Sequence, residues 1–309
     1  MTIYNAPMRL PAATATRQVF LIGLISGLAG AVLFSAKAIV AKLIYRYNVD
    51  AVTLIAFRML FSLPFFMAIA YWKSRGAPPV SPADRWRIAL LGLLGYYLAS
   101  FLDFLGLQYI SAGLERLILF LTPSFVLLIS MFFLKKAIRP LEWLALIVSY
   151  GGIVLVFYHD AKLGGPDVAL GSLLVLGSAI SYALYLLMSG ELVGRVGAMR
   201  LVAYAMCVAS AACILQFFLL RPASMLLQPQ AVYELSIINA VLCTVLPVFL
   251  TMFAVACIGA STASQAGMVG PVSTLFLAAF LLDEPITGVQ MMGTMLVLAG
   301  IYLLSRKKA

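Results

Sequence analysis

Apolar residues run along this chain in long, nearly unbroken segments, and short polar stretches separate them. A hydrocarbon core about 30 Å thick needs about 20 residues of helix to cross it. Ten runs of that order are present, at about 18–43, 51–72, 87–107, 112–134, 140–158, 168–190, 199–220, 232–256, 262–282 and 287–305. None shows the polar/apolar alternation of a transmembrane β-strand. Each run therefore predicts an α-helix, which satisfies its backbone N–H and C=O groups within its own segment. Small residues recur inside the runs, as at Gly23, Gly27 and Gly30 or Gly92 and Gly95; they allow close backbone approach where lipid offers no hydrophobic drive for association. The expected fold class is an all-α membrane protein of ten transmembrane helices. Connections such as Arg46-Tyr47-Asn48-Val49-Asp50 and Ile258-Gly259-Ala260 are too short to hold a catalytic domain.

The pattern repeats. Shifting the chain against itself by about 148 residues without a gap, the period of a five-helix unit, places Gly23 on Gly171, Leu28 on Leu176, Ala31 on Ala179, Ala112 on Ala260, Pro123 on Pro271, Gly152 on Gly300 and Ile153 on Ile301. Five spans is an odd number, so the second copy enters from the opposite face. Charge agrees: Lys135-Lys136 of the first copy align with Asp283-Glu284 of the second, the exchange that a bias of basic residues toward the cytoplasm predicts. The expected organisation is a cytoplasmic tail at 1–17, a first five-helix repeat at 18–158, an inverted second repeat at 168–305 and a basic cytoplasmic tail at 306–309. Two inverted copies of one unit can each adopt the conformation the other holds, which opens a midplane site to one side and then the other.

Composition adds that the apolar residues face lipid. They make up 64% of 309 residues and charged residues 10%, with a mean hydropathy of +1.07, against about half and a quarter in soluble domains. The net charge of +10 follows from topology: fourteen Lys and Arg fall on the face that carries both termini, four on the other, and three (Lys37, Arg58 and Arg116) inside spans. Both termini are thus expected in the cytoplasm, and nucleic acid is not an expected partner. Cys207, Cys213, Cys243 and Cys257 form no Cys-x-x-Cys, and His159 is the only histidine. No metal and no cofactor is expected; the cysteines read as small packing residues. Arg9 and Arg17 precede an apolar stretch too long for a signal peptide, which predicts an uncleaved first span.

Ionisable residues inside a span are expensive and mark either a solute path or a structural pair. Lys37, Arg58, Asp103, Glu115 and Arg116 all belong to the first repeat, and their counterparts are Tyr185, Met206, Thr251, Ala263 and Ser264. One reading pairs Arg58 with Asp103 and puts Glu115 and Arg116 near the membrane interface; the other gives Lys37, Asp103 or Glu115 a substrate or a coupling proton. Helical phase sets Tyr96, Ser100, Asp103 and Leu107 on one stripe and Ser178, Tyr182, Tyr185 and Ser189 on another. Glu115 and Thr122 lie on the fourth span; Ser264, Gln265 and Met268 lie on the ninth. The candidate substrate-binding set is Lys37, Tyr96, Ser100, Asp103, Glu115, Thr122, Tyr182, Tyr185, Gln265 and Met268. A wall of tyrosine, methionine and hydroxyls suits a flat or amphipathic solute better than a strongly anionic sugar phosphate. Pro123 and Pro271, repeat-related, are candidate hinges or cavity-shaping kinks, and ordinary tolerated membrane prolines are the other reading.

Several stretches together resemble the EamA-type branch of the drug/metabolite transporter superfamily. They are Gly270-Pro271, Leu281-Leu282-Asp283-Glu284-Pro285-Ile286-Thr287 and Leu298-Ala299-Gly300-Ile301 in the second repeat, with Leu33-Phe34-Ser35-Ala36-Lys37, Ala56-Phe57-Arg58 and Leu107-Gln108-Tyr109-Ile110-Ser111-Ala112 in the first. The chain departs from the pattern at Lys136, where the first repeat lacks the acidic residue that the second has as Glu284. The resemblance implies a cavity formed by spans one to four and six to nine. It also implies an exporter in a bacterial inner membrane, similar to ten-span aromatic amino-acid exporters. Aromatic or large neutral amino acids are the leading substrates. Purines and drug-like compounds, or a nucleotide-sugar or phosphate antiport, are alternatives, and a membrane enzyme or a channel lies outside the class. The partners expected are a small-molecule substrate and the lipid bilayer; the oligomeric state stays open, and a monomer suffices.

Overall fold

A computed structural model describes residues 12–135, 138–165 and 167–305 of the chain. Residues 1–11 of the tail expected at 1–17, the tail expected at 306–309, and Lys136 lie outside the described residues. The helical rods are α1 (Ala12–Tyr45), α2 (Ala51–Ser74), α3 (Pro82–Leu107), α4 (Ala112–Phe133), α5 (Pro140–Gly164), α6 (Asp167–Val196), α7 (Ala198–Leu220), α8 (Gln230–Gly259), α9 (Thr262–Leu282) and α10 (Gly288–Ser305). Among the described residues nine are long and apolar enough to cross a bilayer, and α10 holds a shorter apolar stretch, Gly288–Leu304.

Several rods outrun the apolar runs that announce them. α1 starts at Ala12 rather than 18, α3 at Pro82 rather than 87, and α6 continues to Val196. Local polar chemistry extends two of them, α3 and α6. The Ser81 hydroxyl accepts the Asp84 N–H (3.1 Å) at the start of α3, as N-cap residues do. Arg195 in the last turn of α6 reaches Glu191 (3.4 Å) one turn back and Asp84 of α3 (3.0 Å). Hydropathy marks what lipid covers, and helix ends lie beyond it.

Asp50 starts α2. Its carboxylate accepts the N–H groups of Val52 (2.9 Å) and Thr53 (3.2 Å) and the Thr53 hydroxyl (2.8 Å), and pairs with Arg221 at 3.2 Å. Burial acts to raise its pKa, but the bonds from Thr53 and Arg221 outweigh burial and hold it below the usual carboxylate value. Asp50→Ala is expected to destabilise the protein by about 0.5–2 kcal/mol at neutral pH, the range for a lost N-cap. A depressed carboxylate contributes above its unfolded-state pKa and loses that contribution as pH falls through its folded-state value, so the difference should close on acidification. Thermal unfolding of both proteins across pH in detergent checks it.

The two halves carry the same irregularities 148 residues apart. A π turn at Leu93–Leu98 in α3 answers one at Val241–Val245 in α8 (93 and 241). Lys135 (φ 52°) and Asp283 (φ 60°), left-handed, end α4 and α9 (135 and 283). α4 breaks at Phe120 and Leu121, and α9 at Met268. Packing repeats too: α1 lies on α8 and α9, α6 on α3 and α4, α2 on α7, and α5 on α10.

Close contacts give the helix directions. Gly23, Gly27 and Gly30 of α1 meet Cys257, Ala254 and Leu250 of α8 in turn, so these helices run oppositely. Gly171, the partner of Gly23, meets Tyr109 and Ile110, the partners of Cys257 and Ile258. On α5, Gly152 faces Gly293 and Val297 of α10, while Gly300 faces Ala145 and Ser149. These two rods are therefore antiparallel. A Cβ at Gly152 would lie 2.7 Å from the Gly293 carbonyl oxygen, a distance only glycine permits.

Candidate functional site

Five ionisable side chains from four helices converge in the first repeat. The Lys37 ammonium of α1 lies 2.5 Å from Asp103 Oδ2 of α3 and 3.5 Å from Glu115 Oε1 of α4. Lys37 is 5% exposed, Asp103 3% and Glu115 0%. Lys37 therefore serves two carboxylates and bonds well to one of them. Neither oxygen of Glu115 accepts a hydrogen bond among the described residues, and Asp103 Oδ1 is also left without one. Such a cluster is held by its mutual attraction, since buried charges lose several kcal/mol of hydration each.

Two guanidinium groups flank it. Arg58 of α2 donates to the Thr244 hydroxyl (2.8 Å) and to Ser100 (3.4 Å), and lies over the Phe104 ring at 5.0 Å. Arg116 of α4 lies over Phe34 (5.1 Å) and Phe120 (5.2 Å). It also lies against Gly270 of α9, whose carbonyl accepts the Ser35 hydroxyl (2.9 Å). Asn239 donates to the Lys37 carbonyl at 3.4 Å. No carboxylate comes within ion-pair distance of Arg58 or Arg116 among the described residues.

A second group is aromatic. Tyr96, in the π turn of α3, donates its hydroxyl to Tyr185 of α6 (3.1 Å), and their rings stand edge to face at 5.0 Å. Tyr182 stacks on Tyr185 at 5.5 Å. Gly95 makes room for this arrangement, because a Cβ there would enter the Tyr185 ring. Ile88, Leu91, Leu192 and Leu201 enclose the trio. By repeat position Tyr185 corresponds to Lys37, Tyr182 to Phe34 and Thr244 to Tyr96. The two halves thus place a charged group and a tyrosine group at equivalent positions.

The α3 stripe joins them. Tyr96 belongs to the aromatic group, Ser100 meets Arg58, and Asp103 meets Lys37. Seven residues of helix separate the ends by about 10 Å. Of the candidates, Lys37, Ser100, Asp103 and Glu115 are brought together, as are Tyr96, Tyr182 and Tyr185. Thr122 turns to its own helix: its hydroxyl donates to the Leu119 carbonyl (2.7 Å), the acceptor four residues before Pro123 that the proline nitrogen cannot serve. Gln265 is exposed, and Met268 is half-buried against an apolar cluster that includes Leu117, Val156 and Val297, so neither joins the groups. Pro123, exposed, and Pro271, buried, each follow the break in their helix.

Two placements go against the first of the two readings of the buried charges. Asp103 pairs with Lys37 rather than with Arg58, whose hydrogen bonds go to hydroxyls instead. Glu115 and Arg116 are buried, at 0% and 6% exposure, and form part of the cluster. Phe34, Phe104, Asn239 and Thr244 were not singled out. Phe34 had a signal in its spacing, three residues before Lys37 on the same helical face. Asn239 had one as a lone amide in an apolar run.

Beyond the cluster, Lys42 of α1 pairs with Glu284 at 2.8 Å, and Glu284 also accepts the Ala112 N–H at the start of α4 (3.2 Å). Arg46 donates to the Leu282 carbonyl (3.1 Å). Lys42, Tyr45, Arg46, Gln108 and Glu284 line an open pocket of about 360 Å³ here.

Bilayer-length apolar helices, arranged in two like halves around buried charge, define a membrane transporter. The chain belongs to the EamA-like transporter family, whose pattern it matches twice, over residues 21–158 and 169–306. It is 31% identical over 283 residues, 88% of each chain, to "Uncharacterized transporter YcbK" of Bacillus subtilis (strain 168). It is 26% identical over 259 residues, 77% of this chain and 82% of the relative, to "Probable amino-acid metabolite efflux pump" of Escherichia coli (strain K12). A crystal structure superposes with a TM-score of 0.64 at 17% identity, covering 91% of this chain and 96% of the other, and shows the fold.

Proposed function

We propose that the protein is an alternating-access exporter of amino acids with aromatic or large neutral side chains. In this reading ten spans form two inverted five-helix units in a bacterial inner membrane, with both termini in the cytoplasm. The observation that carries the substrate is the α3 stripe: a charged group and a tyrosine group about 10 Å apart on one helix suit a solute with a polar head and a flat tail. Lys37, Asp103 and Glu115 would meet the head, and Tyr96, Tyr182 and Tyr185 the tail. The antiparallel contacts of α5 with α10, and the irregularities 148 residues apart, support the inversion. The amino-acid name of one relative supports the substrate, and transport rather than catalysis is supported by the names of the relatives.

Counterflow of labelled phenylalanine in proteoliposomes tests the activity; absence of counterflow with every aromatic amino acid would remove it. Tyr185→Ala is expected to raise KM about tenfold or more, because a stacked aromatic contact contributes about 0.5–1.5 kcal/mol beyond its buried area. It should leave the protein folded, and an unchanged KM would take the tyrosines out of the site. Cysteine labelling from each side at positions 135 and 283 tests topology: inversion requires opposite sides.

A further inference from the structure

The buried cluster does not balance. Lys37, Arg58 and Arg116 supply three cations, Asp103 and Glu115 two carboxylates, and of the three cations only Lys37 comes within ion-pair distance of either carboxylate. A net positive charge enclosed in a low-dielectric interior is costly unless a counter-charge joins it. Arg116 is where the imbalance is sharpest. It is 6% exposed, its Nε has no partner, and no carboxylate stands within ion-pair distance of it among the described residues. Arg58, by contrast, bonds to two hydroxyls.

Phe34 is the exposed side of this corner. Lys37 Nζ lies 5.4 Å and Arg116 Cζ 5.1 Å from its ring centroid, so one ring carries both cations. Phe34 itself is 36% exposed while the two cations are almost fully enclosed. Gly270 fixes the guanidinium, since a Cβ there would lie 2.6 Å from an Arg116 terminal nitrogen. The Ser35 hydroxyl in turn holds the Gly270 carbonyl. A planar guanidinium whose Nε has no hydrogen-bond partner is suited to a carboxylate, which it can bind through two parallel hydrogen bonds.

Resting on the proposed transport of amphipathic aromatic solutes, we propose that Arg116 and Lys37, on either side of Phe34, form a subsite for the substrate carboxylate. The substrate ammonium is not required. A carboxylate offsets the excess of cationic over anionic side chains; a zwitterion adds an ammonium that this excess does not call for, and an amine without a carboxylate worsens it. The ligand class is a monocarboxylate with a flat apolar tail, and deaminated aryl carboxylates belong to it together with amino acids.

The test is binding to the purified full-length protein in detergent, read as thermal stabilisation against concentration, with four probes: 3-phenylpropionate, phenylalanine, 2-phenylethylamine and propionate. The proposal expects 3-phenylpropionate to bind at least as tightly as phenylalanine, and 2-phenylethylamine not to bind. It expects Arg116→Gln to weaken both carboxylates by about tenfold or more, the usual size for a hydrogen bond to a charged group, and Arg116→Lys to recover part of the loss. Gly270→Ala, which displaces the guanidinium without removing it, should weaken them in the same direction and supplies the readout if Arg116→Gln does not fold. Amine binding equal to carboxylate binding, or Arg116→Gln and Gly270→Ala both at wild-type affinity, overturns the subsite and leaves the aromatic reading standing. Propionate binding as well as 3-phenylpropionate keeps the subsite and removes the aromatic reading. No binding by any probe overturns both.

Discussion

Asp103→Leu is expected to destabilise the protein by about 3–5 kcal/mol and to abolish transport, because it leaves the Lys37 ammonium buried beside a carboxylate that does not hydrogen-bond to it. That is the usual magnitude when one partner of a buried pair is removed. Lys37→Leu should do the same from the other side, leaving Asp103 and Glu115 facing each other without their shared cation. The double variant Lys37→Leu/Asp103→Leu removes one charge of each sign. Replacing a whole buried pair with apolar groups is often neutral, so it should regain most of the lost stability. Transport should not return if Lys37 meets the solute. Thermal unfolding in detergent and proteoliposome counterflow, run on all four proteins, separate the two roles. Single variants as stable as the wild type would deny the ion pair, and a transporting double variant would take Lys37 out of the binding site.

Gly152→Leu comes next in expected effect. Its new side chain must fit where the Gly293 carbonyl oxygen lies 2.7 Å from the Cβ position, and overpacking of this kind costs about 1–3 kcal/mol. Gly300→Leu should cost a similar amount, since its Cβ would lie 2.6 Å from the Ala145 carbonyl oxygen across the same pair of helices. Gly151→Leu is the control: a Cβ there meets nothing within 4 Å, so its effect should stay within about 0.5 kcal/mol. Melting temperatures of the three variants decide it, and a tolerated Gly152→Leu would mean that α5 and α10 do not pack as closely as described.

Which features were legible in the sequence depended on whether they repeat or recur with helical phase. The helical class followed from the apolar runs, and the repeat from glycines and prolines at a constant offset; the same offset relates the π turns and the left-handed caps. Tyr96, Ser100 and Asp103 could be placed on one face by counting in threes and fours, and they do share the site stripe. What could not be read was the partner across the gap. Sequence spacing is blind to contacts between distant helices, so it left open whether Asp103 pairs with Arg58; Lys37, 66 residues away, holds it. Glu115 and Arg116 sit close to a polar loop in sequence and suggested an interfacial position; the packing of α4 against α1, α6 and α9 encloses them instead. Gln265, polar within an apolar span, suggested a place in the site; it is exposed and enters neither of the two groups.

The π turn of α3 changes how the rest of that rod has to be counted. It takes in one residue more than the α-turn it replaces, which amounts to roughly 100° of rotation at 3.6 residues per turn. Gly92, ahead of it, abuts the backbone of Ala205 in α7, whereas Ser100 and Asp103, beyond it, address Arg58 and Lys37. A helical wheel drawn through the whole of Pro82–Leu107 therefore mixes two faces, and each side of the turn needs its own wheel. The same holds for α8 on either side of Val241–Val245, so one surplus residue in each half lets a single helix present one face to a packing neighbour and a differently rotated face to buried charge.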